Sequence, residues 1–153
     1  MQIHLATDHA GYEHKNAVAD WLTAEGYTVI DHGAHVYDSE DDYPDYIARA
    51  AMAVSRNPEE RAIIFGGSGQ GEAMLANRFP AVRATVLYSD TAEIVRLSRE
   101  HNDANTLSIG ARFISVDNTK KHVWQWLHAK RSNSDRHNRR IDKVAAITKN
   151  IHS

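Results

Sequence analysis

The chain has 153 residues, of which 42% are hydrophobic and 25% charged, with a net charge of −2 and no cysteine. These values fit one globular domain, residues 1–153, with a core of its own, and they argue against nucleic acid as a partner, which needs a broad basic surface. The absence of cysteine excludes a disulfide framework, a thiolate metal site and a catalytic thiol. With no apolar run of ~18 residues and no basic-then-apolar leader, the expectation is a cytoplasmic protein with no membrane contact.

In chain order, residues 2–7 read as a first strand, followed by Asp8-His9-Ala10-Gly11. From Tyr12 to Glu25 the apolar positions Ala17, Val18, Trp21 and Leu22 recur at helical spacing, and Gly26 stops the helix. Residues 27–31 form a short second strand. A polar loop from His32 to Asp42 carries the acidic run Asp38-Ser39-Glu40-Asp41-Asp42, which reads as a solvated loop. Pro44 opens a helix bearing Ile47, Ala50, Ala51 and Val54, which ends before Asn57-Pro58.

Ile63-Ile64-Phe65 is the end of a buried strand. Four glycines within six residues follow, Gly66, Gly67, Gly69 and Gly71, and then a short helix over Glu72-Ala73-Met74-Leu75-Ala76. A fourth strand covers 82–87. Ser89 or Asp90 is placed to cap a helix that runs to about His101. A fifth strand, 105–109, leads into Gly110-Ala111-Arg112. A helix from Val116 to about Lys130 and a last one from about Asp135 close the chain. Strand and helix alternate five times, which predicts an α/β fold: a three-layer α/β/α sandwich, Rossmann-like, around a five-stranded parallel sheet with an extra C-terminal helix. That last helix has an apolar stripe, Ile141, Val144, Ala145, Thr148 and Ile151, which calls for a partner surface in its own subunit or another.

In such sheets ligands sit beyond the carboxyl ends of the strands. The strand–turn–helix over 63–77 is the centre of the expected site. Glycines let a ligand approach the backbone, and the first N–H groups of a helix lack partners, so the turn suits a phosphate or an enolate oxygen. Its spacing matches neither G-x-G-x-x-G, nor a P-loop, nor a nucleophile elbow. Ser68 and Glu72 bring its proton chemistry. Asp8 reads as an N-cap that also faces a ligand, and His101 as a dipole partner at a helix end or a proton shuttle. Arg136 and Arg140 share a helical face and suit a phosphate, although on spacing alone they also suit a solvated basic face. His32-x-x-His35 has no third ligand in view, so no metal is expected.

Together, Ala6-Thr7-Asp8-His9-Ala10-Gly11-Tyr12-Glu13-His14-Lys15, Asp42-Tyr43-Pro44, Gly66-Gly67-Ser68-Gly69-Gln70-Gly71-Glu72, Ala76-Asn77-Arg78, Arg99-Glu100-His101-Asn102, Ile109-Gly110-Ala111-Arg112 and Arg136-His137-Asn138-Arg139-Arg140-Ile141 resemble the type B ribose-5-phosphate isomerases. Galactose-6-phosphate and allose-6-phosphate isomerases are relatives. The resemblance implies an aldose–ketose isomerase that uses neither metal nor cofactor and works through a cis-enediolate. One branch of the family has a cysteine base at the position of Gly66; the other has a carboxylate that matches Glu72. The resemblance further implies Ser68 moving the proton between O1 and O2, with the backbone of Gly67, Gly69 and Gly71 holding the enediolate oxygen. It implies His101 opening the sugar ring, Asp8 accepting a hydroxyl proton, and Tyr43 and Asn102 positioning the sugar. His9, Arg112, Arg136 and Arg140 would bind phosphate with His137 nearby. It also implies a homodimer or dimer of dimers with the site at the subunit interface. The expected substrate is ribose 5-phosphate; the alternatives are a hexose 6-phosphate or tetrulose 4-phosphate, or a sugar-phosphate-binding module without catalysis. A Ser68–His101 hydrolase would lack both an elbow and an orienting acid.

Overall fold

In a computed structural model, which describes residues 1–151, the elements run β1 (Gln2–Thr7), a 3-10 turn (His9–Gly11), α1 (Tyr12–Ala24), β2 (Thr28–Asp31), α2 (Pro44–Arg56), β3 (Arg61–Gly66), α3 (Gln70–Ala76), β4 (Ala84–Leu87), α4 (Ala92–Glu100), β5 (Thr106–Gly110), α5 (Val116–His128) and α6 (Asp135–Ile151). The five strands are all parallel, in the order β2-β1-β3-β5-β4. β3 is central, and its residues 62–66 are buried on both faces, which is why they read as a continuous apolar run rather than an alternation.

Alternation along the strands sorts the side chains into two cores. Ile3, Leu5, Ile63, Phe65, Leu107 and Ile109 face one side, against Val18 and Leu22 of α1 and Val123 and Trp126 of α5. Ala6, Ala62 and Ile64 face the other, against Ile47, Ala50, Ala51 and Val54 of α2 and Ala76 of α3. Each large aliphatic side chain buried in this way contributes about 1.5–3 kcal/mol. Lys15 of α1 is fully buried and donates to both oxygens of Asp31 at 2.7 and 2.8 Å and to the Ala34 carbonyl at 2.8 Å. This pair ties α1 to the end of β2.

The structure departs from the expected boundaries in several places. β4 begins at Ala84, because Val82 still belongs to a turn: its N–H donates to the Phe79 carbonyl. The residue at the N-cap of α4 is Thr91, with no side-chain cap. Asp90, expected as a possible cap, spends its Oδ1 on Lys121 (3.0 Å) and His122 (2.6 Å) of α5, and the hydroxyl of Ser89 pairs with that of Thr91. α5 ends at His128, after which Ala129 is extended. α6 matches its expected span, but none of its described residues is buried within the chain. No helix of the described residues is long and apolar enough to cross a membrane.

Candidate active site

The carboxyl ends of β1, β3 and β5 meet at one end of the sheet, and β5 pins the Gly-rich turn there. Ala111 N–H donates to Gly66 O (2.8 Å), Arg112 N–H to Gly67 O (3.1 Å), and the Ser108 hydroxyl to Gly69 O (2.5 Å). Gly69 has φ +78°, a left-handed conformation that costs glycine little, and it turns the chain into α3. The N–H groups of Gly67, Ser68 and Gly69 donate to no acceptor among the described residues. Three adjacent free donors on a fixed backbone form a cradle for a developing oxyanion. Ser68 Oγ accepts weakly from Gln70 N–H at 3.4 Å, which leaves its hydroxyl proton available.

Glu72, in the first turn of α3, is only 4% exposed. Its carboxylate is folded back onto Gly66, so that a Cβ on Gly66 would stand 1.8 Å from Oε1. Burial raises its pKa, the negative charge of Asp8 adds to the effect, and its own backbone N–H opposes it. A helix first turn favours the charged form of a carboxylate; here desolvation wins, and a carboxylate with a raised pKa is a better proton acceptor.

Asp8 caps the 3-10 turn through Ala10 N–H (3.0 Å), and burial raises its pKa as well. The Tyr43 hydroxyl lies against Gly71, and the Arg112 guanidinium lies against Gly67, 2.7 and 3.1 Å from where a Cβ on each glycine would be. His9 is held by Asp41: its backbone N–H donates to Asp41 Oδ1 at 2.9 Å, and its Nδ1 lies 2.7 Å from the same oxygen. Thus Asp8, His9, Tyr43, Gly67, Ser68, Gly69, Gly71, Glu72 and Arg112 share one end of the sheet. Ligand atoms of Asp8, His9 and Asp41 lie within 4.8 Å of one another; Asp8 Oδ1 accepts from the 3-10 turn and Asp41 Oδ1 bonds His9 Nδ1. Of the His32-x-x-His35 pair, His32 Nε2 bonds His4 Nδ1 at 2.9 Å, and His35 pairs with Asp31.

The remaining candidates lie elsewhere in the same chain. His101 is the C-cap of α4 and precedes β5, so it and Asn102 sit at the amino ends of the strands. Within one chain Glu72 and His101 therefore stand apart: α4 returns antiparallel to the sheet and carries His101 to the opposite end. There His101 stacks on His137 of α6, with centroids 4.0 Å apart and rings 15° from parallel. Burial lowers the His137 pKa, and His101, Arg140 and Arg136 lower it further. His101, Asn102, His137 and Arg140 line a groove of 1020 Å³ together with apolar side chains that include Phe79, Val82, Ile141 and Val144.

Two contributors escaped the sequence reading. Asp41, assigned to a solvated run, is instead the partner of His9. Asp103 binds Arg83 (3.0 Å), Arg99 (2.7 Å) and Arg131 (3.4 Å), and Arg131 also donates to Asn138 Oδ1 (2.8 Å), which ties the His101 loop to the root of α6. Only the Arg99-x-x-x-Asp103 spacing hinted at this.

The same architecture recurs in known proteins. Residues 3–144, a span that includes every candidate above, match the Ribose/Galactose Isomerase family. The chain belongs to the ribose/galactose isomerase family. Among other members, ribose-5-phosphate isomerase B of Mycolicibacterium paratuberculosis is 38% identical over 145 residues, covering 95% of this chain and 90% of that protein. The Escherichia coli protein of the same name is 34% identical over 147 residues, with 95% of each covered. The crystal structure of ribose-5-phosphate isomerase B from Mycoplasma genitalium, with bound ribulose 5-phosphate, superposes with a TM-score of 0.91 at 32% identity, covering 97% of this chain and 96% of that one. The Clostridium thermocellum enzyme also gives 0.91, at 38% identity with 99% of each chain covered. In this ribose/galactose isomerase, Glu72 with the Gly-rich turn and His101 with His137 and Arg140 stand at opposite ends of the chain's sheet.

Proposed function

We propose that this chain interconverts ribose 5-phosphate and ribulose 5-phosphate by proton transfer. The observation that carries the reading is the Glu72 carboxylate, buried and with a raised pKa, beside three unsatisfied backbone N–H groups. In the aldose-to-ketose direction Glu72 takes the proton from C2 of the opened sugar. The negative charge passes to the oxygen of the cis-enediolate, where amides of the Gly67–Gly71 turn meet it, each good donor worth ~3 kcal/mol. Ser68 moves a proton between O1 and O2, and Glu72 returns its proton to C1. C2 is oxidised and C1 reduced within one molecule, so the balance needs no external electron carrier. Asp8 accepts a hydroxyl proton from the sugar, and Tyr43 holds it against the turn.

We further infer that a complete site forms in a homodimer. His101 opens the ring, Asn102 positions it, and Arg136, Arg140 and His137 take the phosphate with His9 and Arg112. Support comes from the separation of these groups within one chain and from α6, whose apolar stripe lies uncovered: Val144 is 59% and Ile147 61% exposed. A second copy that covers this stripe would bring its own catalytic end to the histidine–arginine group. The setting is cytoplasmic, where phosphorylated sugars, too charged to cross a membrane, are held. Relative rates on pentose, hexose and tetrose phosphates test the reading. Ribose 5-phosphate should be turned over fastest, and Glu72→Gln should lose at least ~100-fold in kcat. Near-full activity of that variant would remove Glu72 as the base.

A further inference from the structure

Asp41 differs from the acidic residues around it. Asp38, Glu40 and Asp42 are exposed, whereas the Asp41 side chain is 5% exposed and has its back to the protein. Its Oδ1 takes both the backbone N–H and the Nδ1 of His9, and its Oδ2 is buried with no hydrogen-bond partner. A buried carboxylate with one empty oxygen is costly unless its charge is used. The single cation within hydrogen-bond reach among the described residues would be His9 itself.

We propose that Asp41 is a positioning residue that holds His9 as an imidazolium, oriented to bind the phosphate of the substrate. This rests on the sugar-phosphate reading given above. The two bonds to one oxygen fix the backbone at the start of the 3-10 turn and the protonated state of Nδ1. Nε2 makes no hydrogen bond among the described residues, so a second N–H is free for a phosphate oxygen. The ring is set edge-on to Tyr37, with centroids 6.3 Å apart at 88°. The charged groups facing it are Asp8 from the turn after β1, Asp41 from the loop before α2, and Arg112 from the loop after β5. Two negatives against one positive favour the cation. In agreement, the His9 pKa is raised, first by the Asp41 hydrogen bond and then by the charges of Asp8 and Asp41, with desolvation and Arg112 opposing. A charge-assisted donor is about twice as strong toward phosphate as a neutral one.

The test uses the full chain as wild type, Asp41→Asn and Asp41→Ala. The asparagine can still accept both His9 bonds but has no charge; the alanine removes both. Imidazole resonances of His9 are followed by ¹H–¹⁵N NMR with and without inorganic phosphate, and KM and kcat for ribose 5-phosphate are measured from pH 6 to pH 8. In Asp41→Asn, His9 should titrate at lower pH than in wild type. Its KM should exceed that of wild type by a ratio that grows from pH 6 to several-fold at pH 8, with kcat unchanged. Ionisation of the substrate's own phosphate is common to both proteins and cancels in the ratio. Asp41→Ala should raise KM at pH 6 as well, because the ring has lost its anchor. An unchanged His9 titration in Asp41→Asn, a KM ratio independent of pH, or an Asp41→Ala KM equal to wild type at pH 6 would each overturn the proposal. If the wild-type chain fails to turn over ribose 5-phosphate, the functional reading falls, while the His9 titration and its response to inorganic phosphate still decide the role of Asp41.

Discussion

The Glu72 carboxylate fills the space beside Gly66 that a side chain would occupy: a Cβ there would lie 1.8 Å from Oε1 and 2.6 Å from Oε2. The bare backbone at 66 and the carboxylate at 72 are one structural unit. In the resemblance drawn from the sequence, the other branch of the family carries its cysteine base at this same position. A base at either residue would therefore serve the same volume, and both cannot fit.

Gly66→Ala should displace the Glu72 carboxylate and lower kcat/KM by at least ~100-fold, the usual worth of a positioned base. The double variant Gly66→Ala/Glu72→Ala should be more stable than Gly66→Ala alone, because the clash is gone. Urea midpoints of the single and double variants measure this coupling. Simple additivity would show that the two residues do not share the space.

As the proposed base, Glu72 would have to be ionised, and its pKa is raised, so the acid limb of kcat/KM should lie above the ordinary carboxylate range. The same shift has a stability sign. The folded chain holds the Glu72 proton more tightly than the unfolded chain, so this group's contribution to stability falls as pH rises from the ordinary carboxylate range through its folded pKa. Glu72→Gln should thus be more stable than wild type at pH 7.5, by about 1 kcal/mol or ~3 °C in Tm, and the gain should shrink toward pH 4. Calorimetry at the two pH values checks it; a constant difference would mean that the buried charge is not the cause.

Asp31→Ala leaves the Lys15 ammonium fully buried with only the Ala34 carbonyl as acceptor. Loss of one partner of a buried pair costs ~3–5 kcal/mol, and the partial exposure of Asp31 places this case below that range, at about 2 kcal/mol. Lys15→Met in the same background should recover part of the loss. Chemical denaturation of the two variants gives the comparison.

If the working site is shared between subunits, chains that lack Glu72 and chains that lack His101 should complement each other. Inactive Glu72→Gln and His101→Ala proteins, mixed under conditions of subunit exchange, should regain activity, because some mixed dimers hold one intact site. Val144→Asp on the uncovered α6 stripe should leave the monomer folded, shift the sedimentation coefficient toward that of the monomer and abolish activity. Activity in a protein that sediments as a monomer would show that one chain suffices.

The alternation of strands and amphipathic helices, the central buried strand and the Gly-rich turn were all legible in the residues, because each depends on local periodicity and on side-chain chemistry that is fixed along the chain. Glu72 was legible as a group for proton chemistry for the same reason, because it follows a bend of glycines in the first turn of a helix; its role as the base was implied by the family resemblance. What the linear order could not convey was distance. Only the folded chain placed Asp41 against His9 from 32 residues away, pressed Glu72 onto Gly66 so that desolvation outweighed the helix dipole, and sent His101 with α6 to the end of the sheet opposite Glu72. These are effects of burial and of helix direction, and they arise when separate elements pack, so no stretch of sequence contains them by itself.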